Sequence, residues 1–388
     1  MKMLMIFFLL ICSLSVNAYN NPTCIFTMIN PSATNSALGI VVGGANIWNQ
    51  NPLDVWSNPA KLGYFDGFSL GYSHDSYLED VFDDIYFDSS YLNLGWKGIG
   101  LMLPMINNQA KFGSSFGYGD QDAYDEDGNF LGTFNSWESS SGFALGVNLL
   151  KFYGEMSDND KITQLQSYSD FSIGYNYNYV ESELAPEGTG ATEMGYLDNS
   201  ASYTDGLGMI FRISPLNELN YSSFLFFKSD IVYSLYYRNI SKTIMDYGDY
   251  DEPMPYATES AFSIRMAMGN DIFKGLIIYD IISIFGKDIL SINYLYGKSR
   301  AMDSDNAFGN GYDVTFLDIF SYRKGYYEDK EGNIEGKTSG YGINLNYKDL
   351  IHLQYNYAEI PGGDLQDIQE KEDYMLNINL LELLRKVN

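Results

Sequence analysis

The chain reads as an all-β protein, a transmembrane antiparallel β-barrel of about 14 strands, on three observations. Short segments alternate apolar and polar residues with period two. The composition favours strands and turns. The N-terminus carries an export-type signal, and no later stretch is long and apolar enough for a membrane helix.

At the N-terminus, Met1-Lys2-Met3 supplies one positive charge, Leu4 to Val16 is an apolar run, and Val16-Asn17-Ala18 fits a small-residue cleavage site. Residues 1–18 are therefore expected to be a signal peptide, the run falling short of the roughly 20 residues a spanning helix needs. Cys12 would leave with it. Cys24 then stands alone, which excludes an internal disulfide and a cysteine-built metal site. An exported chain that crosses a bilayer without helices must do so as a closed barrel, the other arrangement that pairs every backbone group.

Fifty acidic against 23 basic residues give a formal charge of −27, which repels phosphate backbones and removes nucleic acid from the expected partners. The 34 tyrosines, 24 phenylalanines and 37 glycines suit strands and turns rather than helices.

The alternation is clearest in Phe171–Val180, where Phe171, Ile173, Tyr175, Tyr177 and Tyr179 oppose Ser172, Gly174, Asn176 and Asn178. It recurs in Tyr341–Tyr347, Ile351–Tyr357 and Tyr374–Leu380. Phe68–Ser73, Leu92–Lys97, Phe143–Leu149 and Leu207–Phe211 follow it too, as do Ile231–Arg238, Phe262–Gly269 and Leu290–Gly297. Ile99–Met105, Lys111–Tyr118 and Tyr312–Phe316 are less regular candidates, and Gly275–Phe285 has room for another. Pattern alone does not say which face is buried, so an exported soluble sandwich is the competing architecture. The density of aromatics on the apolar face, with tyrosines at strand ends, favours lipid girdles. Between the strands lie longer acidic stretches, Asp75–Ser90, Gly119–Ser136, Met245–Tyr256 and Tyr326–Lys337, expected to be outer loops, whereas Lys348-Asp349 reads as a short turn at the opposite end.

Ser36–Gly63 reads SALGIVVGGANIWNQNPLDVWSNPAKLG, with a glycine-rich Gly39 to Ala45, an acid at Asp54 and the triplet Asn58-Pro59-Ala60. This resembles the N-terminal signature of the PorV/PorQ-like outer-membrane proteins, relatives of the FadL-type long-chain fatty-acid transporters. Gly311–Tyr357 is similar to the family's C-terminal strands. The resemblance implies a hatch or plug, residues 19–63, folded inside an outer-membrane barrel formed by residues 64–388. It further implies passage of a hydrophobic small molecule through a hatch-gated barrel. The alternative it offers is docking of exported proteins at the cell surface in type IX secretion. Lys61 departs from the family pattern, standing where a glycine is usual.

Among candidate sites, Asn58, Pro59 and Ala60 suit a turn; by resemblance they shape the hatch, with Gly43 and Gly44 allowing tight backbone paths. Lys97, Arg212, Arg238, Arg265 and His352 fall on expected lumen faces, where charge is tolerated. They are read as partners of hatch carboxylates such as Asp54 or as contacts for an anionic head group. Ile25, Phe26, Ile40, Val41 and Val42 are hatch residues suited to line an apolar channel. The acidic run Asp120, Asp122, Asp125, Asp127 misses the EF-hand spacing and reads as a solvated loop. His74 and His352 are the two histidines available as bases, and no serine motif accompanies them, so neither a catalytic site nor a metal or cofactor is expected. The expected partners are outer-membrane lipid, a hydrophobic small molecule and an exported or secretion-system protein.

Overall fold

The computed structural model describes residues 30–39, 44–76, 85–103, 106–107, 110–111, 113–124, 129–157, 160–183, 199–220, 225–247, 251–270, 288–301, 307–330, 334–347, 350–362 and 368–379. The wall begins with β1 (Gly67–Ser76), β2 (Ile85–Trp96) and β3 (Ile99–Leu103), followed by the two-residue arms β4 (Ile106–Asn107) and β5 (Ala110–Lys111). It continues through β6 (Gly113–Tyr124), β7 (Phe130–Asn148), β8 (Ser169–Glu183), β9 (Asn199–Asn220) and β10 (Leu225–Arg238). After a small hairpin, β11 (Ile244–Asp246) and β12 (Asp251–Pro253), come β13 (Ala257–Asn270), β14 (Asp288–Ala301) and β15 (Ala307–Phe316). The last four are β16 (Phe320–Asp329), β17 (Ile334–Tyr347), β18 (Ile351–Pro361) and β19 (Ile368–Ile378). Each stave is antiparallel to its neighbours, and β1 pairs with both β2 and β19, so the sheet closes on itself. β3 and β6 both lie between β2 and β7 and together make one stave, which gives a closed barrel of 14 staves. Closure leaves no sheet edge to satisfy in lipid.

Burial decides which face is which. In β8 the series Asp170, Ser172, Asn176, Asn178 and Ser182 is buried, while Ile173, Tyr175 and Tyr179 are among the exposed residues. The apolar face therefore points outward and the small polar face inward, which is the arrangement of a transmembrane barrel and the inverse of a soluble sandwich. Outward aromatics stack between staves: Tyr177 on Tyr203 at 5.3 Å and Tyr341 on Tyr357 at 5.2 Å between ring centroids.

At one end, here the turn end, the chain reverses at Lys97-Gly98 and Leu317–Ile319, and the helices Leu149–Ser157 and Asp160–Tyr168 join β7 to β8. The described parts of the four long acidic stretches sit at the opposite, loop end, but much of three of them is wall: β2 starts at Ile85, β6 reaches Tyr124, β7 starts at Phe130 and β16 runs to Asp329, whereas Met245–Tyr256 holds the separate β11–β12 hairpin. β16 is a stave that alternation did not single out, because Arg323 and Lys324 interrupt its apolar series. Gly275–Phe285 lies outside the described residues.

Candidate functional site

The N-terminal segment, described from residue 30 to 39 and from 44 to 66, runs inside the barrel, and its polar groups reach staves all around the wall. The short helix Ala33–Ala37 is capped by Ser32, and its Ala33 N–H donates to Asp373 Oδ2 on β19 at 2.8 Å. The 3-10 helix Pro52–Ser57 is capped by Asn51, whose Oδ1 accepts from Leu53 N while its Nδ2 donates to Asp373 Oδ1 at 2.8 Å. Asn58 caps the next 3-10 helix, Pro59–Tyr64, with Pro59 in the first turn, where its missing N–H costs nothing. Asn58 Oδ1 accepts from Ala60 N at 2.9 Å, and Asn58 Nδ2 donates to Ser234 Oγ at 2.8 Å and to Leu235 O at 3.1 Å on β10. Ala60 O accepts from Ser172 Oγ on β8 at 2.6 Å. The triplet is thus both a cap and a bolt to the wall. Elsewhere on the wall, Thr338 Oγ1 on β17 donates to Ala37 O at 2.8 Å, and Ser263 Oγ on β13, the stave next to β10, donates to Ala45 O at 3.0 Å.

Inner-wall glycines let the segment's backbone approach. A Cβ on Gly208 would collide with Asn58 Oδ1, and one on Gly174 with Ala60 N. Gly44 has φ +71°, and a Cβ there would lie 2.6 Å from Asn58 Cβ. Gly43 lies outside the described residues, as do Ile25, Phe26, Ile40, Val41 and Val42.

Asp54 holds the segment to itself. It is fully buried and accepts from Lys61 Nζ at 2.6 Å, from Asn49 Nδ2 at 2.8 Å and from Asn35 Nδ2 at 3.1 Å. Lys61, the departure from the family pattern, is therefore the ion-pair partner of the acid. Burial holds its ammonium below the usual lysine range, with attraction to Asp54 opposing.

The basic residues expected on the lumen wall separate. Arg212 points inward and pairs with Asp170 at 2.5 Å and Asp230 at 3.2 Å. Arg238 pairs with Glu259 at 2.9 Å and lies 5.3 Å from the Trp56 ring. Arg265 pairs with Asp288 at 2.8 Å and lies 5.4 Å from the Trp48 ring. His352 is on the inner face of β18, beside the cavity described below. These arginines answer wall carboxylates one stave away, not Asp54. Lys97 is a correction: β2 ends at Trp96, and Lys97 (φ 49°) with Gly98 (φ 84°) forms the two-residue turn. Its Nζ sits at the turn-end rim, 3.6 Å from Glu155 Oε2.

Several buried charges escaped sequence reading. Lys371 pairs with Asp75 at 2.8 Å, Arg323 with Asp313 at 3.0 Å, and Asp373 collects Ala33, Asn51 and Asn356. Lys371 and Asp373 continue the inward series of Met375 and Asn377, so period-two counting back from Met375 would have found them.

Leu38, Ala45, Ile47 and Ala60 of the segment pack on Ile210, Val232, Ala261 and Leu295 of the inner wall, and two further, contrasting environments flank the segment. Toward the turn end a polar cavity of about 360 Å³ lies between Asn46–Gln50 and the inner faces of staves β10 and β13 to β18. Toward the loop end is an apolar cluster. It joins Leu53, Val55 and Trp56 of the segment with Tyr91, Met102, Ala144 and Val180 of the wall. Met245, Tyr247 and Met254, from the β11–β12 connection, complete it. That connection turns into the barrel mouth, where Ile244 O and Asp246 O accept from Ser202 and Ser200 on the inner face of β9.

Beside the apolar cluster the wall is interrupted. On β2, Leu92 pairs with Leu103 but Ser90 pairs with Gly113, so ten residues of chain are taken for two of ladder and eight are extra. The same eight appear against β7, where Met102 faces Ala144 and Ser114 faces Ser140. Within the excursion Ile106–Asn107 pairs with Ala110–Lys111. At the break Tyr91 and Gly142 keep their outer neighbours, Gly71 and Asn178, while the stave between them supplies neither with a partner among the described residues. Tyr91 is buried and bonds Ser114 at 2.9 Å.

No protein-family model and no curated protein matches the chain. Among solved structures it is similar to the Ralstonia pickettii toluene transporter TbuX, at 9% identity over 91% of this chain and 100% of that one, with a TM-score of 0.35. A TodX mutant described as a monoaromatic hydrocarbon channel gives 9% identity over 90% and 98%, with a TM-score of 0.41. A Pseudomonas aeruginosa FadL homologue gives 9% identity over 94% and 100%, with a TM-score of 0.35. At these scores the likenesses carry no weight for function, and the barrel rests on its own ladder of paired staves.

Proposed function

We propose that the protein is an outer-membrane barrel of the PorV/PorQ type, FadL-like, that admits a hydrophobic small molecule, with residues 1–18 a signal peptide and residues 19–63 a hatch. The observation that carries this reading is the break in the β3–β6 stave, which meets the lumen at one of the two larger apolar clusters on an inner wall that is otherwise largely polar. The segment and the β11–β12 connection occupy the barrel axis, so an apolar solute would enter from the side, through lipid, without crossing the polar lumen. Asn58, Pro59, Ala60, Gly43 and Gly44 would set the seat of the hatch. Mass spectrometry of material retained by the barrel, purified from outer membranes in mild detergent, tests the reading. A stoichiometric fatty-acid-like or aromatic hydrocarbon ligand is expected. A retained exported protein without such a ligand would instead favour docking in type IX secretion, a second reading supported by the acidic stretches whose described parts gather at the loop end.

A further inference from the structure

The cavity at the turn end has a chemistry that the passage of an apolar molecule does not use. We infer that it is a binding site for a small neutral polyhydroxylated solute, a sugar or polyol. Its volume, about 360 Å³, falls in the range of small-molecule pockets. Three carboxylates, Asp288, Asp313 and Asp318, face three fixed cations, Lys228, Arg265 and Arg323, so the lining carries no net charge to select an ion. The cations are occupied: Arg265 by Asp288, Lys228 by Asp288 at 3.5 Å, and Arg323 by Asp313. What is left over is acceptor capacity. Asn49 Oδ1, Asn293 Oδ1, Asn344 Oδ1 and Gln354 Oε1 are each buried without a hydrogen-bond partner, and all four residues line this one cavity.

Unpartnered buried polar atoms in folded proteins are few, because each forfeits the hydrogen bonding it had in water. Four such oxygens on residues that line one hollow mark a place where a ligand completes the hydrogen bonding. A ligand that donates several hydrogen bonds and bears no charge matches; hydroxyl groups on a compact carbon frame do this. The amides can also donate, so a hydroxyl that accepts is served by the same side chains. Trp48 and the His352 imidazole supply the aromatic surfaces of the lining. The site is on the far side of the segment from the wall break and does not depend on the reading of that break.

The test is saturation-transfer NMR on the full-length barrel in detergent micelles, with sucrose and maltose as probes and sodium acetate and glycine betaine as ionic controls. Native protein is expected to transfer saturation to a sugar and to neither ion. The Asn293→Leu/Gln354→Leu double variant, checked as folded by its heat-modifiable gel mobility, is expected to weaken sugar binding by about tenfold or more, two hydrogen bonds being lost. A single Asn49→Ala variant should show a smaller loss in the same direction. Absence of transfer to both sugars, preferential binding of either ion, or equal sugar binding by native and double-variant barrels would overturn the inference.

Discussion

At the scale of single residues, the lumen is governed by the cost of burying charge. Asp54 and Lys61 are both out of water, and breaking such a pair from one side strands the other charge. Lys61→Met should therefore destabilise the protein by about 3 kcal/mol or more. Asp54→Asn combined with Lys61→Met should recover most of that loss, as read by urea unfolding in lipid vesicles. A single variant as stable as native would remove Asp54 from its role as the segment's internal hub. Gly208 gives a separate test of seating. Gly208→Leu puts a side chain where Asn58 Oδ1 sits, so the segment should lift and planar-bilayer conductance should rise while the barrel stays folded. Part of this was legible in sequence. Period-two parity placed Arg212, Arg238 and Arg265 on the lumen side, and Asn58-Pro59-Ala60 announced a turn. Which carboxylate answers each arginine was not, because partners are fixed by cross-strand register, and register depends on every turn between the staves. Lys97 shows the reverse failure: parity holds only while the strand continues, and two left-handed residues end it.

At the scale of elements, the alternating runs located most staves because lipid on one side and a wet, polar lumen on the other impose the pattern on each. β16 escaped, its outward series holding Lys324 and its inward series Arg323. Ile99–Met105 and Lys111–Tyr118 read as two irregular strands, whereas the structure joins β3 and β6 into one stave carrying an eight-residue excursion. No local signal distinguishes an interrupted stave from two short ones; the ladder alone does. The register also specifies how to heal it. Removing residues 105–112 and replacing Pro104 with serine leaves one residue to face Tyr91 and Gly142, with Met102 and Ser114 still inward. This shortened barrel should fold with unchanged gel mobility and melt at least as high as native, since two more ladder hydrogen bonds become available. A variant that fails to insert would mean the excursion is needed for the wall itself.

At the scale of the whole molecule, a largely polar inner wall, an apolar outer wall and a segment bolted to both halves of the barrel define a closed, plugged cylinder whose third stave is interrupted. The outer face explains residence in a bilayer, and the inner face explains why the axis is a poor path for an apolar solute. One of the two larger apolar clusters meets the wall where the third stave breaks, and the proposed passage rests on that coincidence. Uptake of a labelled long-chain fatty acid or toluene by cells, comparing native barrel with the shortened, healed-wall barrel at equal surface levels, tests it most directly. Uptake should fall to the level of cells lacking the protein when the wall is healed. Equal uptake by the two barrels would contradict side entry and leave the break without a part in transport.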